Sequence, residues 1–421
     1  MLPLVAYLDQ DTQMRFHVRC CPRLSTSFSY KEHGTAPVVS TMLLWNSKFC
    51  EKGRRSGRGP AARRPRRTSR SSRRRTRGGG GGGERRGRAP RGPPKSFRHV
   101  LAAATYTLHE QGGERQDRAG SVSLFAVDAG EEDAPRRLRL LHTVETAGVF
   151  DMKWSPVAPL LAQADAHGRL ALWRLEQEDG SDKGAVLRDV CSGDISSSMC
   201  LFVDWNQTAE ALSVGLSDGS LSVVSMREDR LEVSEQWTAH QYEVWTCYFD
   251  RANPHLLYSG SDDCSFSCWD LRQNPSNAVF QNKKSHNMGV CCIAQNPLEG
   301  NMLLTGSYDE FLRVWDIRSM VKPVNVKSLN LGGGVWRIKY HPLIADVVLA
   351  ACMHNGFAIV KVGTGDAAVV ETYCKHESLA YGADWQISEG AEQNKNFSVV
   401  ATCSFYDRLL RVWQPENLGN L

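Results

Sequence analysis

A short pattern recurs seven times across the last three quarters of the chain. SFSCWDLR (Ser265 to Arg272) and FLRVWDIR (Phe311 to Arg318) show it best, and SLFAV, LALWRL, LSVVSM, FAIVKV and LRVWQP are weaker copies. In register they place Phe125, Trp173, Val224, Trp269, Trp315, Val360 and Trp413 in one column, 45 to 53 residues apart. A repeat of about 40–45 residues is the period of a four-stranded propeller blade, a unit that buries its apolar faces only against neighbours of its own kind. The expectation is an all-β, seven-bladed β-propeller. A ring of this sort is a binding platform first, so any chemistry has to be argued from individual residues.

Each unit reads as four strands. A first strand ends in an aromatic residue or a proline, as in FDMKWSP, CYFDRANP, IAQNP and IKYHP. A second ends in a polar turn, as in LLYSGSDD, MLLTGSYDE and VLAACMHNG; the third carries the column, and a looser fourth follows. Short period-2 strands between Gly, Asp and Asn turns make an all-β array, and closing the ring removes exposed sheet edges. The ends are incomplete. Only eight residues follow Trp413, so the last blade needs its outer strand from the N-terminal side. The first blade begins abruptly at FRHVLAAATYTL, so its first strand is unaccounted for, and Ala36 to Trp45 is the one β-like run available upstream.

Residues 1–96 read as a disordered, low-complexity segment and residues 97–421 as the WD40-type propeller. Between Gly53 and Gly92 there are 16 Arg and one Glu, with six glycines in a row at Gly78 to Gly83. Such a stretch cannot bury enough apolar surface to offset its chain entropy. The whole chain carries +5, so the remainder stands at −10 and does not look like a nucleic-acid surface. An Arg/Gly tail is able to hold RNA by charge and stacking, but no aromatic residue interleaves these arginines, so nucleic acid is expected at most through residues 53–92. The 13 cysteines contain no CxxC and no zinc spacing. Buried free thiols in a reducing compartment follow, with no metal and no cofactor expected. No run of 18 apolar residues and no leader-like N-terminus occur, which points to a cytoplasmic protein without a membrane partner.

In two units a His precedes the first strand and an Asp lies six residues before the Trp. The sets are His240, Ser261, Asp263, Trp269 and His286, Ser307, Asp309, Trp315. A set that occurs twice is read as structural hydrogen bonding, not as a catalytic dyad. The turn Asp is replaced by His167 in the second unit and by His354 in the sixth, which reads either as a degenerate blade with an exposed turn histidine or as a base or shuttle. Gly215 to Gly219 fits GxSxG but lies between two strands, where no nucleophile elbow forms. Aromatic residues gather where first strands begin: Trp245, Trp336 and Tyr381. In a ring these ends surround one mouth of the central channel, where most such residues serve packing and the other reading is an aromatic lining able to hold a quaternary ammonium group.

AHQYEVWTCYF, SGSDD, HNMGVCCI, LTGSYDEFLRVWDIR, GGGVWRIKYHP, LAACMHNGF and YGADW together resemble one family. It is the diphthine methylesterase family of WD-repeat proteins, also named diphthine methyltransferase, and the likeness runs from about Val100 to Trp413. The resemblance implies hydrolysis of the methyl ester of methylated diphthine on translation elongation factor 2, giving diphthine for the amidating step. That factor is then the protein partner. On this reading His354 is the base, Arg337 or the backbone N–H groups of Gly332 to Gly334 face the oxyanion, and Glu243 and Glu310 orient a base or water. Trp245, Trp336, Tyr381, Gly333 and Gly334 contact the substrate. The alternative is a non-enzymatic WD-repeat scaffold that presents a protein partner.

Overall fold

Short runs of Val, Leu, Ile and aromatic residues, each closed by a Gly, Asp or Asn turn, become strands throughout. The computed structural model describes strands within residues 6–45 and residues 97–420, apart from 98, 110–116, 129–136, 179–183, 228–229, 274, 276, 320, 364 and 387–397. The Arg/Gly-rich stretch lies outside the described residues. Among those described, no helix is long and apolar enough to cross a membrane.

Seven antiparallel sheets follow one another as blades of a propeller. Their innermost strands are Val38–Trp45, Val149–Trp154, Cys200–Trp205, Val244–Phe249, Val290–Gln295, Arg337–Tyr340 and Ala380–Gln386. Blades 1 to 6 have four strands. Among the described residues blade 7 has three, Ala380–Gln386, Val399–Ser404 and Leu410–Trp413, without the outer strand expected from the N-terminal side. A further three-stranded sheet comprises Ala6–Leu8, Gln13–His17 and Ser27–Lys31.

The upstream run does serve. Val38–Trp45 pairs antiparallel with Val100–His109, with Trp45 opposite Leu101. It also packs beside the innermost strands of blades 7 and 2. The expected boundary at residue 97 is therefore too late: the propeller takes its first strand from across the Arg/Gly-rich stretch. A composition-based boundary misses it because one strand of eight residues is too short to change the average of the segment around it.

The core is divided by blade. One apolar cluster fills each of the seven contacts between neighbours. The one that closes the ring sets Val399, Ala401 and Cys403 of blade 7 against Leu101, Ala103 and Val127 of blade 1. Each buried Val, Leu or Ile contributes about 1.5–3 kcal/mol of transfer free energy. Trp173, Val224, Trp315, Val360 and Phe125 of the repeat column each sit at a β-bulge between third and outer strands. Bulges there increase the local twist that a blade needs.

Replacing residues 46–96 by a short Gly/Ser linker should leave the melting temperature within a few degrees, because Trp45 and Leu101 are already cross-strand neighbours. A chain starting at residue 97 lacks the first strand of blade 1. It should melt at least about 10 °C lower or fail to stay soluble. Circular dichroism melts of both chains check this.

Candidate active site at one mouth of the channel

In every blade from 2 to 7 the innermost strand has an extra residue at the same point. Phe150, Leu201, Trp245, Cys291 and Tyr381 have no partner in the ladder with the second strand. In blade 6 the equivalent is Trp336, whose N–H bonds Ala351 O at 2.9 Å, although Ala351 pairs with Arg337. A bulge leaves one residue unpaired and re-aims its side chain. Repeated around a ring, it places six side chains at one mouth, four of them aromatic.

Three of these are the aromatic residues expected from the sequence, and they meet. Trp336 is 8% exposed and lies at the centre of the group. Its ring centroid is 5.5 Å from Trp245, 5.9 Å from Tyr308 and 4.5 Å from Tyr381. Met353 and Cys291 complete the buried floor, and Phe405 extends the wall at 5.1 Å from Tyr381. Tyr308, Met353 and Phe405 were not foreseen. Each follows the end of a second strand, and their turns face the same mouth.

The polar candidates divide into separate pairings. Glu243, two residues before Trp245, is 5% exposed. Its Oε2 has no hydrogen-bond partner among the described residues. Burial, with the nearby Asp262 carboxylate, raises its acid above the usual range. Asp262 Oδ1 in turn accepts from Trp245 Nε1 at 3.2 Å. His354 is exposed, with its Nε2 4.0 Å from Glu310 Oε1. Its neighbour Met353 belongs to the aromatic group and is bonded to blade 7 by Ala380 N–H to Met353 O at 2.8 Å. His167, the other turn histidine, is exposed as well.

The glycine run has a packing reason. A Cβ on Gly333 would lie 2.2 Å from Cys352 O, so only glycine lets the loop lie on the turn that carries His354. Gly332 N–H is already donated to Asn330 Oδ1 at 2.7 Å, which removes it from the oxyanion donors considered above. Gly215 and Gly219 lie at the end of the second strand of blade 3 and in the turn to the third, so GxSxG forms no elbow.

Arg337 lies beneath Trp336, its guanidinium 5.9 Å from that ring and 5.0 Å from Phe202. An amino group donates to Asp151 Oδ1 at 3.0 Å, while Asp151 Oδ2 accepts Val203 N–H at 3.1 Å. Burial raises the Asp151 carboxyl despite the opposing pull of Arg337. Two residues further along the same strands, Lys153 pairs with Asp204 at 3.1 Å and Lys339 with Asp384 at 3.8 Å. Burial, reinforced by Lys153 and Arg337, lowers the Lys339 ammonium against the pull of Asp384. Among the described residues no three His, Cys, Asp or Glu side chains are grouped to hold a metal ion.

The repeated His/Asp/Trp sets are structural, with one correction. In blade 4 Trp269 Nε1 donates to Ser259 Oγ at 2.8 Å, Ser259 meets His240 Nε2 at 2.7 Å, and His240 Nδ1 meets Asp263 Oδ2 at 3.0 Å. In blade 5 Trp315 donates to Thr305, which meets His286 at 3.0 Å, and Arg313 is inserted between His286 and Asp309. The hydroxyls are thus Ser259 and Thr305, not Ser261 and Ser307. Leu257 stands opposite Trp269, so the diagonal neighbour that the indole reaches is residue 259. Ser261 and Ser307 instead cap the turn, accepting Asp263 N–H and Asp309 N–H at 3.1 Å. Blade 7 contains a third set: Trp413, Thr402 and His376, joined through Ser404 to Asp407. Its signal was present, since Asp407 also lies six residues before the column Trp.

A ring of this kind with an aromatic mouth defines a WD-repeat propeller. The family model described as WD domain, G-beta repeat matches residues 232–270 and 278–316. The fold is similar to that of Sqt1 from Chaetomium thermophilum, with a TM-score of 0.56, 13% identity and cover of 77% of this chain and 82% of that one. The diphthine methyltransferase of Homo sapiens is 36% identical over 70% of this chain and 70% of that protein. That of Schizosaccharomyces pombe is 31% identical over 76% of this chain and 91% of its own length. The chain belongs to the diphthine methyltransferase family.

Burial pushes the His376 imidazole down to about 4 against the raising effect of Asp407. A lowered folded-state value means that the unfolded chain binds the extra proton first as pH falls. The stability from neutral His376 is present above the unfolded value of about 6.5 and is lost as pH falls through about 4. The melting deficit of His376→Gln should therefore be largest near pH 7.5 and narrow toward pH 4. Thr402→Ala, which removes the partner of both His376 and Trp413, should cost about 1–3 kcal/mol in denaturant unfolding.

Proposed function

We propose that this protein hydrolyses the methyl ester of methylated diphthine on translation elongation factor 2, giving diphthine and methanol within diphthamide biosynthesis. The observation that carries the reading is the bulge-built aromatic mouth in a chain of the diphthine methyltransferase family. The substrate bears a trimethylammonium group, and the faces of Trp245, Trp336 and Tyr381 suit such a cation. The buried Glu243 carboxyl beside Trp245 adds negative charge to that side when ionised.

Ester hydrolysis needs an activated water and a stabilised oxyanion. His354, with Glu310 beside its Nε2, is the base for that water on this reading. Arg337, its guanidinium 5.9 Å from the Trp336 ring, is the donor for the oxyanion on this reading. Water adds to the ester carbonyl as His354 takes its proton. Collapse of the intermediate expels methoxide, which leaves as methanol with that proton, and the acid remains on the factor.

Hydrolysis is favoured over methyl transfer by the architecture. A nucleotide-bearing methyl donor is commonly seated where a parallel strand turns into a helix. Every sheet among the described residues is antiparallel, and no such turn occurs among them. We read the protein as a cytoplasmic hydrolase that works without a cofactor on the elongation factor.

Incubation with elongation factor 2 bearing the methylated ester, in the absence of any methyl donor, should lower the mass of the modified histidine by one CH2 and release methanol. An unchanged mass from folded protein that still binds the factor would instead identify a scaffold. His354→Ala should lower kcat about 100-fold or more with an unchanged melting temperature. Trp336→Ala should raise KM by roughly 2- to 30-fold, the range of a cation–π contact.

A further inference from the structure

The channel has a second end, and it is built differently. The innermost strands of blades 2, 3 and 4 finish there, at Trp154, Trp205 and Phe249, and leave a cleft of about 30 Å3 between them. That is room for about two water-sized groups. Lys153, Pro156, Trp205, Asn206, Tyr248 and Arg251 line it. The carboxylate in its wall, Asp204, is engaged at both oxygens, by the Lys153 ammonium at 3.1 Å and by Phe249 N–H at 3.2 Å. The donors are not used up in the same way. Lys153 lies 5.8 Å from the centroid of the Tyr248 ring, and the hydroxyl of that ring accepts Arg251 Nε at 2.6 Å, so one tyrosine gathers both cations. The two amino groups of Arg251 make no hydrogen bond or ion pair among the described residues. Asn206 Oδ1 accepts Glu210 N–H and Ala211 N–H, and its amide NH2 has no acceptor among them.

A cleft with spare N–H donors on two cations, and a carboxylate already engaged, takes an anion. Its size suits the two oxygens of a carboxylate, to which a guanidinium donates as a fork and an ammonium as a point charge. The same end of the ring also carries apolar side chains in the open. Val157, Leu298 and Leu343, which are 58%, 72% and 41% exposed, stand in the loops after the first strands of blades 2, 5 and 6. Val157 follows Pro156 of the cleft directly. A groove for a nucleic-acid backbone would repeat its cations along a track with stacking aromatics between them. Here two cations converge on one small space with apolar residues at its rim, which fits a protein segment. We propose that this end of the channel is a second binding site, which takes an aspartate or glutamate side chain from an acidic segment of a protein partner. Arg251 and Lys153 hold its carboxylate, and an apolar neighbour of that residue covers Pro156 and Val157. The site lies at the opposite ends of the strands from the aromatic mouth and does not rest on the esterase reading.

The test uses the full chain as wild type, Arg251→Gln, Arg251→Glu and Trp336→Ala. The probe is a fluorescein-labelled short peptide of alternating glutamate and leucine, and its control has glutamine at every glutamate. Binding is followed by anisotropy at about 0.15 M salt, where contacts with a solvated basic stretch are largely screened. Wild type should bind the glutamate peptide about tenfold or more tightly than the control, the range of a hydrogen bond to a charged group. Arg251→Gln should remove most of that preference and Arg251→Glu all of it. Both should melt within a few degrees of wild type, because Arg251 is exposed. Trp336→Ala, at the other end of the channel, should bind the peptide within about twofold of wild type. Hydrogen exchange of wild type with the peptide bound should slow at residues 155–159, 206–210 and 250–255.

No binding of the glutamate peptide, equal affinity for the two peptides, or an Arg251→Gln variant that keeps the preference would overturn the proposal. Slowed exchange confined to residues 53–92 would overturn it too, by making the Arg-rich stretch the acceptor. Loss of binding in Trp336→Ala would place the peptide at the aromatic mouth instead. An oligouridylate that displaces the labelled peptide at a lower concentration than the unlabelled peptide does, and fails to do so in Arg251→Gln, would give the cleft to a nucleic-acid backbone and overturn the protein reading.

Discussion

Closure of the ring governs everything else in this protein. Seven sheets become a channel with a mouth only if blade 7 meets blade 1, and that contact depends on Val38–Trp45 lying between the innermost strands of blades 7 and 2. The apolar contact of Val399, Ala401 and Cys403 with Leu101 and Ala103 supplies the matching core. Closing a ring over several hundred residues has an entropic cost that grows only slowly with loop length. A long stretch between the first and second strands of blade 1 is therefore compatible with the pairing of those strands.

Once the ring is closed, polar groups inside it are confined and must be satisfied. Hydroxyl–imidazole–carboxylate chains do this under the column tryptophans of blades 4, 5 and 7. In blade 4 the order is a single run of donors: indole N–H to Ser259, hydroxyl to His240, imidazole N–H to Asp263. Burial works to raise the Asp263 carboxyl, yet His240, Ser265 and Gln241 N–H hold it down to about 2. Inside the channel the same requirement is met by ion pairs between blades. At the mouth Glu243 Oε2 and Trp336 Nε1 have no partner among the described residues, and neither do Trp154 Nε1 and Trp237 Nε1 elsewhere in the ring.

The repeat column and the aromatic residues at the strand starts were readable in the sequence because each depends on local order. The column is periodic, and Trp245, Trp336 and Tyr381 precede recognisable first strands. The tetrad hydroxyl was placed two residues off, since spacing alone cannot say which of two residues on one face of a strand is diagonal to the indole. Val38–Trp45 was visible as a β-like run, but the composition around it obscured its membership of the fold. The Arg337–Asp151 contact was not legible at all. It joins residues from opposite sides of the ring, and nothing local marks either one as the partner of the other.

The central claim is that the aromatic mouth around Trp336 is where the ester-bearing end of the substrate binds. A crystal structure of the full chain with a peptide carrying diphthine tests it most directly. The account predicts the trimethylammonium group against the faces of Trp245 and Trp336, with the carboxylate within hydrogen-bond distance of Arg337. Density for the modified residue at the opposite end of the channel, beside Lys153 and Arg251, would contradict it.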